Sequence, residues 1–344
     1  MNKRYAYLDG IRGVAAIFIL LRHTVGYWGF EVYRSYLAVD LFFILSGFVI
    51  AESYAGRLAR RDITIGQFVK LRLIRVYPVY LASLCIAMPA FILSSPGADL
   101  LGVNDFISVG VLSLLFLPSL PSMAGSLYPV NGPYWSLFFE LIVNFLYAVG
   151  RPLLKPKVLG ILLTAAGAGL FLAASEVGNL DSGFRWGGIS VITGFLRAAF
   201  GILMGVYISR KLESGRFPQS PILAMLMIFL MFFVPALGAV DFLVDVLSVF
   251  LVFPACLILC ATTKADRLSR WLVLLGLASY PIYVFHKPIG ELVYFLAPNT
   301  IVLNQPYFGV LLVIVLVLSS IVLEKKIDGP IRKVLVRKVI GKAS

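Results

Sequence analysis

An imidazole, a guanidinium and several carboxylates stand at spacings that suit proton transfer. His23 shares an apolar run with Arg12, Asp40 lies in the next run, Glu140 in a later one, and His286 stands beside Lys287 near the end. A histidine can take the proton of a hydroxyl while an acid behind it fixes the ring and stabilises the imidazolium, so this set suits general-base transfer to an alcohol. The first run reads Tyr7-Leu8-Asp9-Gly10-Ile11-Arg12-Gly13 and continues to Leu21-Arg22-His23-Thr24. Eleven helical steps separate Arg12 from His23, about three turns or ~16 Å, which places both side chains on one face. Asp9, in the same motif, is expected to give structural support.

The partners of these groups are open at this level. Asp40 is expected ~6 Å and His23 ~10 Å below one end of their helices, so the carboxylate either orients the imidazole or pairs with Arg22 or Arg34. Glu140, ~13 Å deep by the same arithmetic, needs a partner among His23, Arg22 and Arg197. Tyr134 and Trp135 serve either as interfacial anchors or as faces on which a sugar stacks. Pro281 and Pro288 interrupt the run holding His286 and Lys287, which opens backbone carbonyls to a wet interior. His286 there binds an acceptor, relays a proton or is purely structural. Arg72 and Arg75, three apart on one face, suit a diphosphate or a nucleotide phosphate, or simply anchor the chain at a membrane surface.

The elements that hold these residues are membrane spans. With 60% hydrophobic and 14% charged residues and a mean hydropathy of +0.93, the 344-residue chain reads as all-α and polytopic rather than water-soluble. Ten spans are expected near 8–30, 37–55, 76–95, 131–150, 158–175, 188–208, 219–238, 242–261, 272–296 and 307–324. A shorter run, 106–118, is bracketed by prolines and reads as a re-entrant or interfacial element. With that count most of the 30 Lys and Arg fall on one side. They include Lys3, Arg4, Arg57, Arg60, Arg61, Lys70, Arg72, Arg75, Arg151, Lys155, Lys157, Arg210, Lys211, Arg216, Lys264, Arg267, Arg270 and the tail from Lys325 to Lys342. Both termini are therefore expected in the cytoplasm. The net charge of +13 is this topological bias and implies no nucleic-acid binding. Cys85, Cys256 and Cys260 lie in apolar runs and are expected to be inert, with no metal site. The Met1-Asn2-Lys3-Arg4 start imitates a signal peptide, but Arg22-His23 breaks the run, so the first helix is expected to be retained. The chain reads as one domain over 1–344, with a basic tail at about 325–344 lying along the inner leaflet.

Several motifs stand in order along the chain: Asp9-Gly10-Ile11-Arg12-Gly13 with His23, Val39-Asp40-Leu41-Phe42-Phe43-Ile44-Leu45-Ser46-Gly47, Arg72-x-x-Arg75, Tyr134-Trp135-Ser136-Leu137 with Glu140, and Ser279-Tyr280-x-x-Tyr283-x-x-His286. Taken together, they resemble acyltransferase family 3. The resemblance covers nearly the whole chain in order. It implies an integral-membrane enzyme that O-acylates glycans, commonly with acetyl groups from cytoplasmic acetyl-CoA. It also implies that Arg12 and His23 are essential and that Arg72 and Arg75 serve the acyl-CoA side. Some members carry an extra extracytoplasmic hydrolase-like domain; this chain is expected to act as a stand-alone transferase.

The resulting expectation is an acyl-CoA-dependent O-acyltransferase of the cell inner membrane, with a glycan or lipid-linked sugar as acceptor and no permanently bound cofactor. His23, Asp40 and Glu140 would be catalytic and Arg12, Arg72 and Arg75 would bind acyl-CoA. Tyr134, Trp135, His286 and Lys287 would bind the acceptor or relay a proton. A proton-coupled secondary transporter with a midplane polar site is the alternative.

Overall fold

The computed structural model describes residues 5–94, 101–213, 217–261, 263 and 267–341. Lys3, Arg4, Arg216, Lys264 and Lys342, counted above toward the cytoplasmic side, lie outside them. Among the described residues there is no strand, only an isolated bridge between Ser126 and Arg185.

The helices are α1 (Ala6–His23), α2 (Ala38–Ile50), α3 (Ile65–Ser94), α4 (Val103–Leu114), α5 (Tyr134–Gly150), α6 (Pro156–Val177) and α7 (Ser190–Leu212). They continue with α8 (Pro221–Phe233), α9 (Asp241–Leu247), which runs on through Ser248–Val252 to Phe253–Ala261, then α10 (Ser269–Leu296), α11 (Pro298–Leu303), α12 (Tyr307–Leu323) and α13 (Gly329–Ile340). Among the described residues, eight helical segments are long and apolar enough to cross a membrane, so the chain is an all-α polytopic membrane protein.

Two of the ten expected spans fall outside that set, each for a physical reason. Helix α1 carries Asp9, Arg12 and Arg22 within 18 residues, too much charge for an apolar stretch. Helix α8 has only 13 residues, because Val234 precedes Pro235 and is pushed to extended backbone, which ends the helix. The short element expected near 106–118 is α4. It lies against α3 and reaches only part-way down it, where Tyr80 Oη bonds the Ser113 carbonyl at 2.5 Å and Tyr77 Oη bonds that of Leu114 at 2.6 Å.

Lipid tails supply no hydrophobic drive between helices, so close packing must. The most extensive contact joins α1 to α10. The two run parallel, since Gly10 faces Leu272, Gly13 faces Leu275 and Gly276 faces Asp9. The next joins α2 to α7, where a Cβ on Gly205 would lie 2.5 Å from the Phe48 amide nitrogen. Only glycine allows those two backbones to touch. The outward faces carry Ile161, Leu172, Ile222, Leu251 and Leu318 well exposed, the surface a bilayer requires.

Side-chain hydrogen bonds and ion pairs lock the two ends. Tyr5 Oη and Ser209 Oγ both donate to Glu52, at 2.7 and 2.8 Å, which sets the start of α1 beside the ends of α2 and α7. This end also carries Arg57, Arg60, Arg61 and Lys70 and is called the basic end below. At the other, Arg34 is fully buried and bonds both Asp241 and Asp245. Pro288 in α10 has no N–H to give the Val284 carbonyl. The Asn131 side-chain amide donates to that carbonyl instead, at 3.0 Å, and so pins the entry of α5 to α10.

Candidate active site

Because α1 is one unbroken helix, it carries Arg12 and His23 into two different cavities, as their spacing requires. At the basic end a cavity of about 150 Å³ is lined by Arg12 from α1, Ser46 from α2, Arg72 and Arg75 from α3, Glu140 from α5 and Tyr280 from α10. At the opposite end a cavity of about 750 Å³ is lined by His23, Arg22, Trp135, Asp181, Trp186 and Lys287, among others. A third, of about 480 Å³, reaches His23 from the side of Tyr27, Glu291 and Tyr294. The first two cavities adjoin at Val39 and Tyr283, which line both. The Tyr283 hydroxyl donates to the Pro133 carbonyl at 2.9 Å and sits 2.6 Å from the Ser136 hydroxyl, so this junction is held in place.

In the smaller cavity each arginine already has a carboxylate beside it. Arg12 bonds Asp9. Arg72 Nη2 bonds Glu140 Oε1 at 2.6 Å, and Ser46 Oγ donates to the same oxygen at 2.5 Å. Arg75 lies 4.0 Å from Glu324 and 5.7 Å above the Tyr280 ring. Buried nitrogens on two of them, Nε of Arg72 and Nη1 of Arg75, have no hydrogen-bond partner. A desolvated N–H in that state favours an anionic ligand.

Around His23 the ring contact is another histidine. Its Nδ1 lies 3.0 Å from the Ile19 carbonyl and 3.1 Å from Nε2 of His286, with the ring centroids 4.9 Å apart. Trp135 and Lys287 reach the same cavity, Lys287 paired with Glu291 at 3.0 Å. Arg22 bonds Asp181 and the Tyr33 carbonyl on the cavity wall.

Three placements correct the expectation. Asp40 does not meet His23, Arg22 or Arg34: its carboxylate is fully buried and takes two bonds from Arg197, at 2.6 and 3.0 Å. Glu140 lies in the other cavity from His23, on Arg72. Tyr134 lines neither cavity; it is buried against Tyr80 and Tyr128, its hydroxyl 2.5 Å from that of Ser83. Sequence reasoning also passed over Asp181, Trp186 and the place of Tyr283 where the two cavities meet. The segments holding Asp181 and Trp186 have no helical period to mark them, and they are brought to the cavity by loop bonds such as Trp186 Nε1 to the Ser119 carbonyl at 2.8 Å. Arg197 was visible as a lone charge in an apolar run, though with Glu140 rather than Asp40 as its expected partner.

A family model described as an acyltransferase domain matches residues 5–324. The chain belongs to acyltransferase family 3. Membership makes it a multi-pass membrane acyltransferase and decides against the transporter alternative. Among its relatives, "Protein 2 in picA locus" of Rhizobium radiobacter is 42% identical over 187 residues, which is 51% of this chain and 96% of that protein. O-acetyltransferase OatA of Staphylococcus aureus is 31% identical over 90 residues, 26% of this chain but only 14% of the relative. No solved structure matches the chain.

Proposed function

We propose that this acyltransferase moves an acetyl group from cytoplasmic acetyl-CoA to a hydroxyl of a cell-surface or exported glycan, free or lipid-linked. The enzyme would sit in the inner membrane with both termini in the cytoplasm. The observation that carries this reading is the division of labour along α1, with Arg12 in a small arginine-lined cavity and His23 in a wide one at the other end. The basic loops gather at the end holding Arg12, which supports that end as the cytoplasmic, donor side. Arg72 and Arg75, with Arg12 above them, suit the phosphates and thioester arm of acyl-CoA. The similarity to OatA supports acetyl as the group and oxygen as its destination.

The wide cavity suits a polyhydroxylated ring. Trp135 and Trp186 offer aromatic faces, and Arg22, Asp181 and Lys287 offer donors and acceptors around them. In the transfer, the acceptor oxygen bonds the acyl carbon as its proton passes to Nε2 of His23. The carbon–sulfur bond breaks, and the coenzyme A thiolate then takes that proton. Such general-base assistance contributes typically ~10²–10⁴-fold. The acyl group has to pass the Val39–Tyr283 junction to reach His23, so a movement there belongs to each turnover.

The test is the purified protein in lipid vesicles with acetyl-CoA and cell-envelope glycans, followed by mass spectrometry for a gain of one acetyl group. His23→Ala is expected to abolish transfer while the protein inserts and purifies normally. A fully active His23→Ala protein would remove the base from this reading.

A further inference from the structure

The carboxylates expected to hold the His23 ring are committed elsewhere, Asp40 to Arg197 and Glu140 to Arg72. Among the described residues no hydrogen bond or ion pair joins a carboxylate to His23. A base whose ring is free to choose between tautomers presents its lone pair only part of the time, so something else must fix it.

The two histidines make the same bond within their own helices. Nδ1 of His23 is 3.0 Å from the Ile19 carbonyl, and Nδ1 of His286 is 3.0 Å from the Ile282 carbonyl, each four residues back. A carbonyl oxygen can only accept, so in both rings Nδ1 carries the hydrogen. That leaves Nε2 of neutral His286 with a bare lone pair. This lone pair lies 3.1 Å from Nδ1 of His23, where it can only accept. The His23 Nδ1–H is thus shared between the Ile19 carbonyl and His286, and every other assignment of the neutral pair sets two lone pairs against each other. Nε2 of His23 has no partner among the described residues and is not among the buried unpaired atoms, so it opens onto the cavities that reach this ring.

We propose that His286 is a positioning residue that holds His23 in the Nδ1–H tautomer, filling the place an acid takes behind a histidine base. The role rests on the reading of His23 as the base. His286 itself is fully buried and lines none of these three cavities. As His23 gains a proton at Nε2, its Nδ1–H bond to His286 becomes charge-assisted and stronger, so the pair favours the protonated base. The architecture supports the assignment, because α10 runs parallel to α1 at close approach and Asn131 fixes the backbone just before His286.

The chain holds only two histidines, so ¹⁵N-histidine labelling of the whole protein in nanodiscs reads both rings without ambiguity. Both are expected as Nδ1–H tautomers with a bare Nε2. An Nε2–H tautomer at His23 would overturn the proposal. His286→Gln replaces the accepting nitrogen with an accepting amide oxygen and is expected to keep the His23 tautomer and most of the turnover, within about tenfold. His286→Leu has no acceptor; there the His23 tautomers should mix and kcat should fall by ~10² or more, with the KM for acetyl-CoA little changed. If the leucine variant does not fold, the parent and the glutamine variant still decide. A glutamine variant as inactive as leucine, or a leucine variant with an unaltered His23 tautomer, would refute the positioning role. A fixed Nδ1–H tautomer in a protein whose His23→Ala form stays active would instead sink the catalytic reading of His23 and leave the pairing intact.

Discussion

Replacing Asp40 by Asn separates a carboxylate that works on His23 from one that holds the bundle together. The structure puts it in the second role. Asp40 and Arg197 are both buried, at 0% and 1% exposure, and share two bonds. Arg197 also bonds the Ser182 carbonyl at 2.7 Å and the Tyr36 carbonyl at 3.1 Å and lies 5.2 Å above the Trp135 ring. Breaking a buried ion pair from one side costs roughly 3–5 kcal/mol, because the remaining charge is stranded. Asp40→Asn keeps an acceptor at the same place and belongs near the lower figure. Arg197→Ala strands the carboxylate and orphans two carbonyls, each worth a further ~1–3 kcal/mol, so it should be the more damaging change. The double variant Asp40→Leu with Arg197→Leu leaves no stranded charge and should cost well under the sum of the single changes, a coupling of about 3 kcal/mol or more. The assay is denaturant or thermal unfolding of the detergent-solubilised proteins, with acyl transfer measured per folded molecule. The expected result is a destabilised Asp40→Asn protein whose folded fraction still transfers acyl groups. A variant as stable as the parent but inactive would refute this reasoning and return Asp40 to the chemistry.

Two further changes test the donor cavity and the packing. Changing Arg72 and Arg75 together to Lys keeps the charge but loses the planar fork, and a lost charge-assisted bond of ~1.5–3 kcal/mol should raise the KM for acetyl-CoA by about 10–100-fold with a smaller effect on kcat; an unchanged KM would leave these residues as anchors. Gly205→Ala should lower the unfolding temperature in detergent, since its Cβ would strike the backbone of α2 and overpacking costs roughly 1–3 kcal/mol; unaltered stability would mean that α2 and α7 can part at little cost.

The spacing within α1 was legible because a single rigid helix turns residue number directly into distance and direction. Positions on different helices were less so. Counting residues from a helix end gives a depth but no compass bearing, and Asp40, at a fair depth, points to α7 instead of α1. For Glu140 the depth itself slipped. Tyr134 at the start of α5 meets Ser83, eleven residues or ~16 Å from the end of α3 at Ser94. The stretch after α4 therefore delivers α5 already well inside the bundle, and Glu140, a further ~9 Å along, arrives among the arginines of α3. The pairing of His23 with His286 depends on the register of α1 against α10, which is set by glycine contacts that hydropathy does not weigh. The basic bias of the loops, by contrast, is written in residue type alone and needs no packing to be read.

In any membrane that holds an ion gradient, a protein with water-sized spaces opening toward both of its ends could let that gradient drain. Val39 and Tyr283 stand where the two spaces meet, on the walls of both, and the tyrosine is tied by hydroxyl bonds rather than left to swing. Passage of an acyl group is therefore compatible with proton-tight insulation only if the seam parts around the cargo and never around a column of water. Ion conductance through vesicles would rise in any variant that hollows out this seam, and such leakage would harm a host cell even where the acylated product was still made.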